Sequence, residues 1–322
     1  MKTYDVIAMG ELLVDFTMNG KNERGNAIFE ACPGGAPCNV LAMLSKLGRK
    51  TSFLGKVGRD SFGEQLRNTL SDLGIDTSHL YEDTTVHTTL AFVHTLPDGD
   101  REFSFYRNPG ADMMLTEEEV FEEYIRQAQV FHFGTLSMTH EGVRKATKKA
   151  VELAKKNGIL ITFDPNLRPP LWKSLEEAKE QMKYGFSKCD VLKISDNELR
   201  FISEKEDYDE GIYILQEKYG IPLIFLTLGK DGSRAYYKGW RVEEKGYNVQ
   251  VTDTTGAGDT FCGNIIHYVL QYGLDTLTEE KLREILVFAN SAAALVTTKK
   301  GAICSMPERE EILSLIKKEK RM

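Results

Sequence analysis

The chain has 322 residues, 41% of them hydrophobic and 28% charged, which suits a large α/β protein at the usual ~150 residues per domain and excludes long disorder, collagen-like repeats and a membrane span. Lys plus Arg is 41 and Asp plus Glu 48, a net charge of −7 spread without basic blocks, which argues against nucleic acid as a partner. Five cysteines without a CxxC pair, and an N-terminal apolar stretch broken by Asp5, Glu11 and Asp15, lead us to expect reduced thiols, no signal peptide and a cytoplasmic location.

The apolar run from Tyr4 to Met9, stopped by Gly10, predicts a buried strand. The polar, glycine-rich stretch NGKNERGNAIFEACPGG predicts a hairpin that projects from the core. Pro37 opens a helix marked by Val40, Leu41, Leu44 and Leu47 and ended by Gly48. TSFLGKVG reads as a strand, SFGEQLRNTLSDLG as a helix closed by Gly74, and His87 to Tyr106 as a second hairpin about the turn PDGD that pairs with the first. From there a helical stretch to Ala128, the strand VFHFG, a helix to Asn157, the strand ILITFD, a helix from Leu175 to Phe186, the strand DVLKIS, a helix from Tyr208 to Tyr219 and the strand PLIFLTLG alternate. A hairpin in AYYKGWRVEE and a long helical C-terminal part follow. Strands separated by helices imply parallel crossovers and a sheet covered on both faces, and no linker divides it.

The segment VTDTTGAGDTFCGNIIHYVL carries the chemistry. Phe261, Ile265 and Val269 recur at helical spacing, so Gly256, Ala257 and Gly258 stand at a helix N-terminus, where unpaired N–H groups and the dipole attract an anion and small residues let a phosphate come close. Asp259 at the helix start is either a capping carboxylate or a base beside the bound phosphate; the pattern alone suits both. Other phosphate loops fail on spacing. A dinucleotide fingerprint would need glycine where Phe261 stands. GKNERGNA has Asn26 in place of the Walker lysine. The six histidines are scattered singly, a poor metal-ligand pattern.

The run DTTGAGDTF, together with PGGAPCNVLAMLSKLG, resembles the C-terminal and N-terminal signatures of the PfkB, or ribokinase-like, sugar kinases. FLGKVGRDSFGEQL, FDPNLRPPLW, KISDNEL, LTLGKDG, ANSAAAL and GAICSMP fall in that family's order. The resemblance implies a ribokinase-like α/β fold, with a mainly parallel central sheet between helix layers. A small β-sheet lid, formed by about 12–34 and 87–108, would be inserted in a single domain spanning 1–322. It implies ATP-dependent transfer of the γ-phosphoryl group to a sugar hydroxyl, with Asp259 as general base, the N–H groups of Gly256, Ala257 and Gly258 holding developing charge, and Arg168 near the substrate or phosphate end. Such a reaction rests on positioning and charge neutralisation.

By the same resemblance Lys193, Ser195, Thr227, Gly229, Gly232, Gly256, Gly258 and Asn290 contact ATP. Glu198 holds Mg²⁺ through water, although Ser195 stands where the family usually has Asn, and a surface acidic helix start is the plainer reading of Glu198. Asp253 and Thr255, with carbonyls near Gly301, correspond to a K⁺ site. Asp15, Gly34, Gly35 and Asn39 match the sugar-binding positions, with Asp259 beside them; Asp15 read without the family is a solvated strand end. EFSFYRNPGADMML resembles the lid of fructokinase-like members, with Gly110 in place of their Ser, so Arg107 is expected to reach the sugar from above. Fructose is thus the expected acceptor, giving fructose 6-phosphate. The alternatives are 2-keto-3-deoxygluconate, another sugar, or a non-catalytic regulator that binds a sugar or nucleotide. Exposed lid strands suggest a homodimer.

Overall fold

The computed structural model describes residues 2–95 and 101–319; the expected turn PDGD lies outside them. In chain order the strands and helices are β1 (Tyr4–Met9), β2 (Leu13–Lys21), β3 (Ala27–Gly34), α1 (Ala36–Lys46), β4 (Thr51–Gly58), α2 (Ser61–Asp72), β5 (Asp76–Asp83), β6 (Leu90–Thr95) and β7 (Arg101–Tyr106). Then come α3 (Glu122–Ile125), β8 (Ala128–Phe133), α4 (Glu141–Lys156), β9 (Leu160–Phe163), α5 (Leu175–Phe186), β10 (Val191–Ser195), α6 (Asp196–Ser203), α7 (Tyr208–Tyr219), β11 (Leu223–Thr227), β12 (Ser233–Tyr237) and β13 (Trp240–Glu244). Helices α8 (Ala257–Tyr272), α9 (Glu279–Val296) and α10 (Arg309–Glu319) end the chain.

A nine-stranded sheet runs in the order β13-β12-β11-β10-β9-β8-β1-β4-β5, parallel except for the antiparallel edge of β12 and β13. Alternation along β1 sends Val6 and Ala8 into the core under α1, α8 and α9, and Ile7 and Met9 into the core on the other face, under α4, α5 and α7. That two-sided burial explains why its strands read as continuous apolar runs. Two segments differ from expectation. Only Leu80 of β5 is buried, so this polar edge strand carries no apolar signal and sequence patterning passes over it. The helical stretch expected to reach Ala128 is a series of short turns ending in α3, and Ala128 begins β8. Among the described residues no helix is long and apolar enough to cross a membrane.

The two hairpins form a separate four-stranded sheet, β3-β2-β6-β7, joined by parallel pairing of β2 with β6. Asp15 lies opposite Cys32 and Ala91, while Phe16 lies opposite Ala31 and Phe92, so the two side chains point to opposite faces. On the Phe16 face, Phe92 stacks on Phe16 with ring centroids 5.0 Å apart and meets Phe29 and Tyr106 edge-on. The Asp15 face looks onto the C-terminal ends of β1, β9 and β10, the place where open α/β sheets bind ligands.

Candidate active site

Two cavities meet at those strand ends. The larger, about 700 Å³, is lined by Ser195, Thr227, Gly229, Gly232 and Asn290, with Tyr247, Val249 and Val251 from the segment after β13 as its apolar wall. The smaller, about 290 Å³, is lined by Glu11, Asp15, Gly35, Asn39, Asn166, Arg168 and Asp259, with Phe105 of the small sheet above. Lys193, Thr254 and Gly258 line both and so mark the boundary between them.

Helix α8 begins at that boundary. Gly256 caps it with φ of 79°, a left-handed conformation that favours glycine, and a Cβ there would stand 2.6 Å from the Ala302 Cβ. A Cβ on Gly258 would lie 3.0 Å from Lys193 Nζ, so this ammonium sits against the opening turn. Asp259 is buried in that turn. No side chain caps the helix N-terminus, and the Asp259 carboxylate instead accepts a 2.7 Å hydrogen bond from Asn39 Nδ2. Burial raises the Asp259 carboxyl above the ordinary aspartate range, while the Asn39 hydrogen bond, Lys193 and Arg168 pull it partly back. A carboxylate made more basic in this way suits proton abstraction.

Beneath the boundary lies a second buried group. Lys193 Nζ is 3.0 Å from Asp164 Oδ2. Burial works against the ammonium, but Asp164 and Glu198 outweigh it and hold Lys193 above the usual lysine range. Asp164 is pushed up to about 7 by burial, with Glu198 and Asp259 adding to the rise and Lys193 opposing it. Its Oδ1 accepts from Asn166 N at 3.1 Å. This turn puts Asn166 at φ of 43°, a conformation asparagine tolerates better than most residues, and aims the following chain so that Arg168 lines the smaller cavity.

Other expected residues sit differently. Arg107 is buried in an ion pair with Asp112, and its guanidinium also donates to Thr139 Oγ1 at 2.7 Å and to the Leu136 carbonyl; it does not line either cavity and braces the base of the small sheet instead of reaching over the sugar site. Glu198 closes a capping box, with Oε2 accepting from Ser195 N and Oγ and Oε1 accepting from Leu167 N at 2.7 Å. Gly34 leaves room for Asp15, whose Oδ2 would be 2.2 Å from a Cβ there. Asn290 accepts from Ser233 Oγ and donates to the Glu244 and Lys245 carbonyls, which pins the outer wall of the larger cavity. Asp253 accepts from Thr255 N at 2.7 Å and from Gly301 N at 3.0 Å, bringing the three expected cation-site positions together.

Sequence reasoning missed Glu11 and the wall from Tyr247 to Val251. Glu11 is buried below the smaller cavity, and its Oε1 accepts from Ala36 N at 2.8 Å, so it caps α1 from outside the helix. Burial pushes its carboxyl up to about 7. A lone acidic residue inside an otherwise apolar strand-to-turn segment is the signal that could have found it.

A family model described as pfkB family carbohydrate kinase matches residues 4–309. The chain is 41% identical over 314 residues to probable fructokinase-4 of Arabidopsis thaliana, covering 97% of this chain and 96% of that protein. Its fold is similar to the fructokinase from Xylella fastidiosa with bound ATP, at a TM-score of 0.88 and 30% identity over 99% of this chain and 100% of that one. It is similar also to the fructokinase from Vibrio cholerae O395 in its fructose, ADP and calcium ion bound form, at a TM-score of 0.87 and 28% identity over 97% of this chain and 99% of that one.

Proposed function

The chain belongs to the pfkB family of carbohydrate kinases, and we propose that it is a fructokinase, transferring the γ-phosphoryl group of ATP to D-fructose to give fructose 6-phosphate and ADP. The observation that carries this reading is the buried Asp259 carboxylate at the first turn of α8, on the boundary between two cavities suited in size to a nucleotide and a sugar. The sugar lies in the smaller cavity, with Asn39 below it and Asp15 and Phe105 of the small sheet above. Asp259 takes the proton of the attacking hydroxyl, and the N–H groups of the 256–258 turn, with Lys193, meet the charge that develops on the transferred phosphoryl. Arg168 stands on the sugar side of this path. ATP fills the larger cavity, its phosphates toward Ser195 and Gly258 and its base along Val249 and Val251.

Bound together with the nucleotide, Mg²⁺ would neutralise phosphate charge. That ion accepts few protein ligands and many waters. The fit rests on Asp196, which lines the larger cavity, and on Glu198 just behind Ser195; no cluster of three or more acidic, His or Cys side chains is needed, and none occurs among the described residues. Asp253, Thr255 and the backbone near Gly301 are assigned to K⁺. The small sheet acts as the lid. Exposed Met18 and Tyr106 beside its ring of aromatics support a homodimer formed through the face away from the sugar.

The reading is tested by ADP release with ATP and Mg²⁺ over fructose, ribose, 2-keto-3-deoxygluconate, glucose and adenosine, in Na⁺ and in K⁺. Turnover on fructose that disappears in Asp259→Asn is the expected result. Turnover confined to the keto-deoxy acid would replace the acceptor, and silence across the panel would defeat the kinase reading.

A further inference from the structure

Parallel register sets three polar side chains on one face of the sheet. His132 pairs with Thr162, and Leu192 with Phe163. Phe131, Phe133, Phe163 and Leu192 all enter the core on the α4 side. Alternation therefore turns His132, Asp164 and Lys193 toward α8. A lysine with 6% exposure requires a counter-ion, because an unpaired buried ammonium costs several kcal/mol. The other carboxylates near it are engaged: Glu198 with Leu167 and Ser195, Asp259 with Asn39. Asp164 Oδ2 faces the ammonium at 3.0 Å and has no other hydrogen-bond partner among the described residues. His132, hydrogen-bonded to Thr162 Oγ1, is held neutral by burial and by Lys193 itself. It adds no competing charge.

Asp164 also stays out of both substrate cavities, whereas Lys193 lines both. We propose that Asp164 is a positioning residue, whose carboxylate fixes the Lys193 ammonium against Gly258 at the boundary of the two cavities, where it meets the phosphoryl group in flight. Asn166 N holds the other Asp164 oxygen, so the turn that shapes the sugar side also sets the angle of the carboxylate. Lys193 is then already placed before ATP arrives, and a misplaced ammonium there costs turnover far more than binding. The inference rests on the kinase reading above.

Steady-state kinetics of wild type, Asp164→Asn, Lys193→Met and the double variant on the accepted sugar test it. Asp164→Asn is expected to lower kcat ~10- to 100-fold with both KM values within about threefold, and the double variant to turn over no more slowly than Lys193→Met alone. Near-normal kcat in Asp164→Asn, additive losses in the double variant, or a KM rise matching the kcat loss would each overturn the proposal. If Asp164→Asn does not fold, Lys193→Arg decides: it keeps the charge pair but moves the cation, so kcat should fall with KM retained, and wild-type turnover would overturn the proposal. A silent wild type would instead mark failure of the kinase reading.

Discussion

The Asn39 side chain donates a 2.7 Å hydrogen bond to Asp259 Oδ2 across 220 residues of sequence, tying the first turn of α1 to the first turn of α8. One helix start thereby orients the carboxylate on the other.

A hydrogen bond to the charged form of a carboxyl favours that form, and Asn39 is the first influence that lowers Asp259 against the effect of burial. Asn39→Ala removes it and lets the Asp259 carboxyl rise further. Since the base must be ionised to accept a proton, the acid limb of kcat/KM should move to higher pH. The plateau kcat should drop about tenfold from lost orientation. A pH–rate profile checks both; an unmoved acid limb would separate Asn39 from the base.

The two glycines of the turn should fail in different ways. Gly256→Ala meets Ala302 at 2.6 Å in a left-handed backbone, so it should cost ~1–3 kcal/mol of stability, read as a lower urea midpoint. Gly258→Ala lies in a helix and meets only the flexible end of Lys193 at 3.0 Å, so its fold should hold while the ammonium is pushed off the boundary. Its kcat should fall ~10-fold or more with the urea midpoint nearly unchanged. Equal losses of stability in both variants would contradict this division.

Much of this site was legible because short-range chemistry dictates it. GAG before an apolar helical pattern names a helix N-terminus open to an anion whatever surrounds it, and Pro37 and Gly48 bracket α1 by backbone rules alone. The roles of long polar side chains were less legible. Arg107 lies within the lid motif, yet it turns back to Asp112, five residues on, because a buried guanidinium needs a carboxylate partner. Lys193, Asp164 and Glu11 come together only through the order β10-β9-β8-β1, and no local window contains that order. Strand β5 escaped for the opposite reason, since an edge strand with one buried side chain is held by its neighbour's backbone and leaves no periodic trace.

Glu11 predicts how stability depends on pH. Its folded carboxyl stands at about 7, against ~4.3 for an unperturbed glutamate. A group raised on folding binds its proton more tightly in the folded state, so its contribution is complete below about 4.3 and lost as pH climbs through 7. Glu11→Gln removes the titration and keeps an oxygen for Ala36 N. The urea midpoint of the wild type should fall more between pH 6 and pH 8.5 than that of Glu11→Gln, and the variant should be the more stable of the two at pH 8.5. Parallel midpoints would mean that Glu11 is ionised throughout.

Asp15 and Gly34 give a prediction that separates sugar recognition from strand packing. Asp15 lines the smaller cavity, and the missing Gly34 side chain is what lets its carboxylate lie there, since a Cβ would sit 2.2 Å from Oδ2. A hydrogen bond from a sugar hydroxyl to a carboxylate is worth roughly 1.5–3 kcal/mol, or about 10- to 150-fold in affinity. Asp15→Ala should therefore raise the sugar KM by at least tenfold and leave the KM for ATP, whose cavity lies on the other side of Gly258, within about twofold. Gly34→Ala should reproduce the sugar effect by displacing the same carboxylate, and the double variant should add nothing beyond Asp15→Ala, because both act through one group. If Gly34→Ala instead left the sugar KM alone and lowered the urea midpoint, the glycine would serve the pairing of β2 with β3, and Asp15 would need another explanation for its place in the cavity.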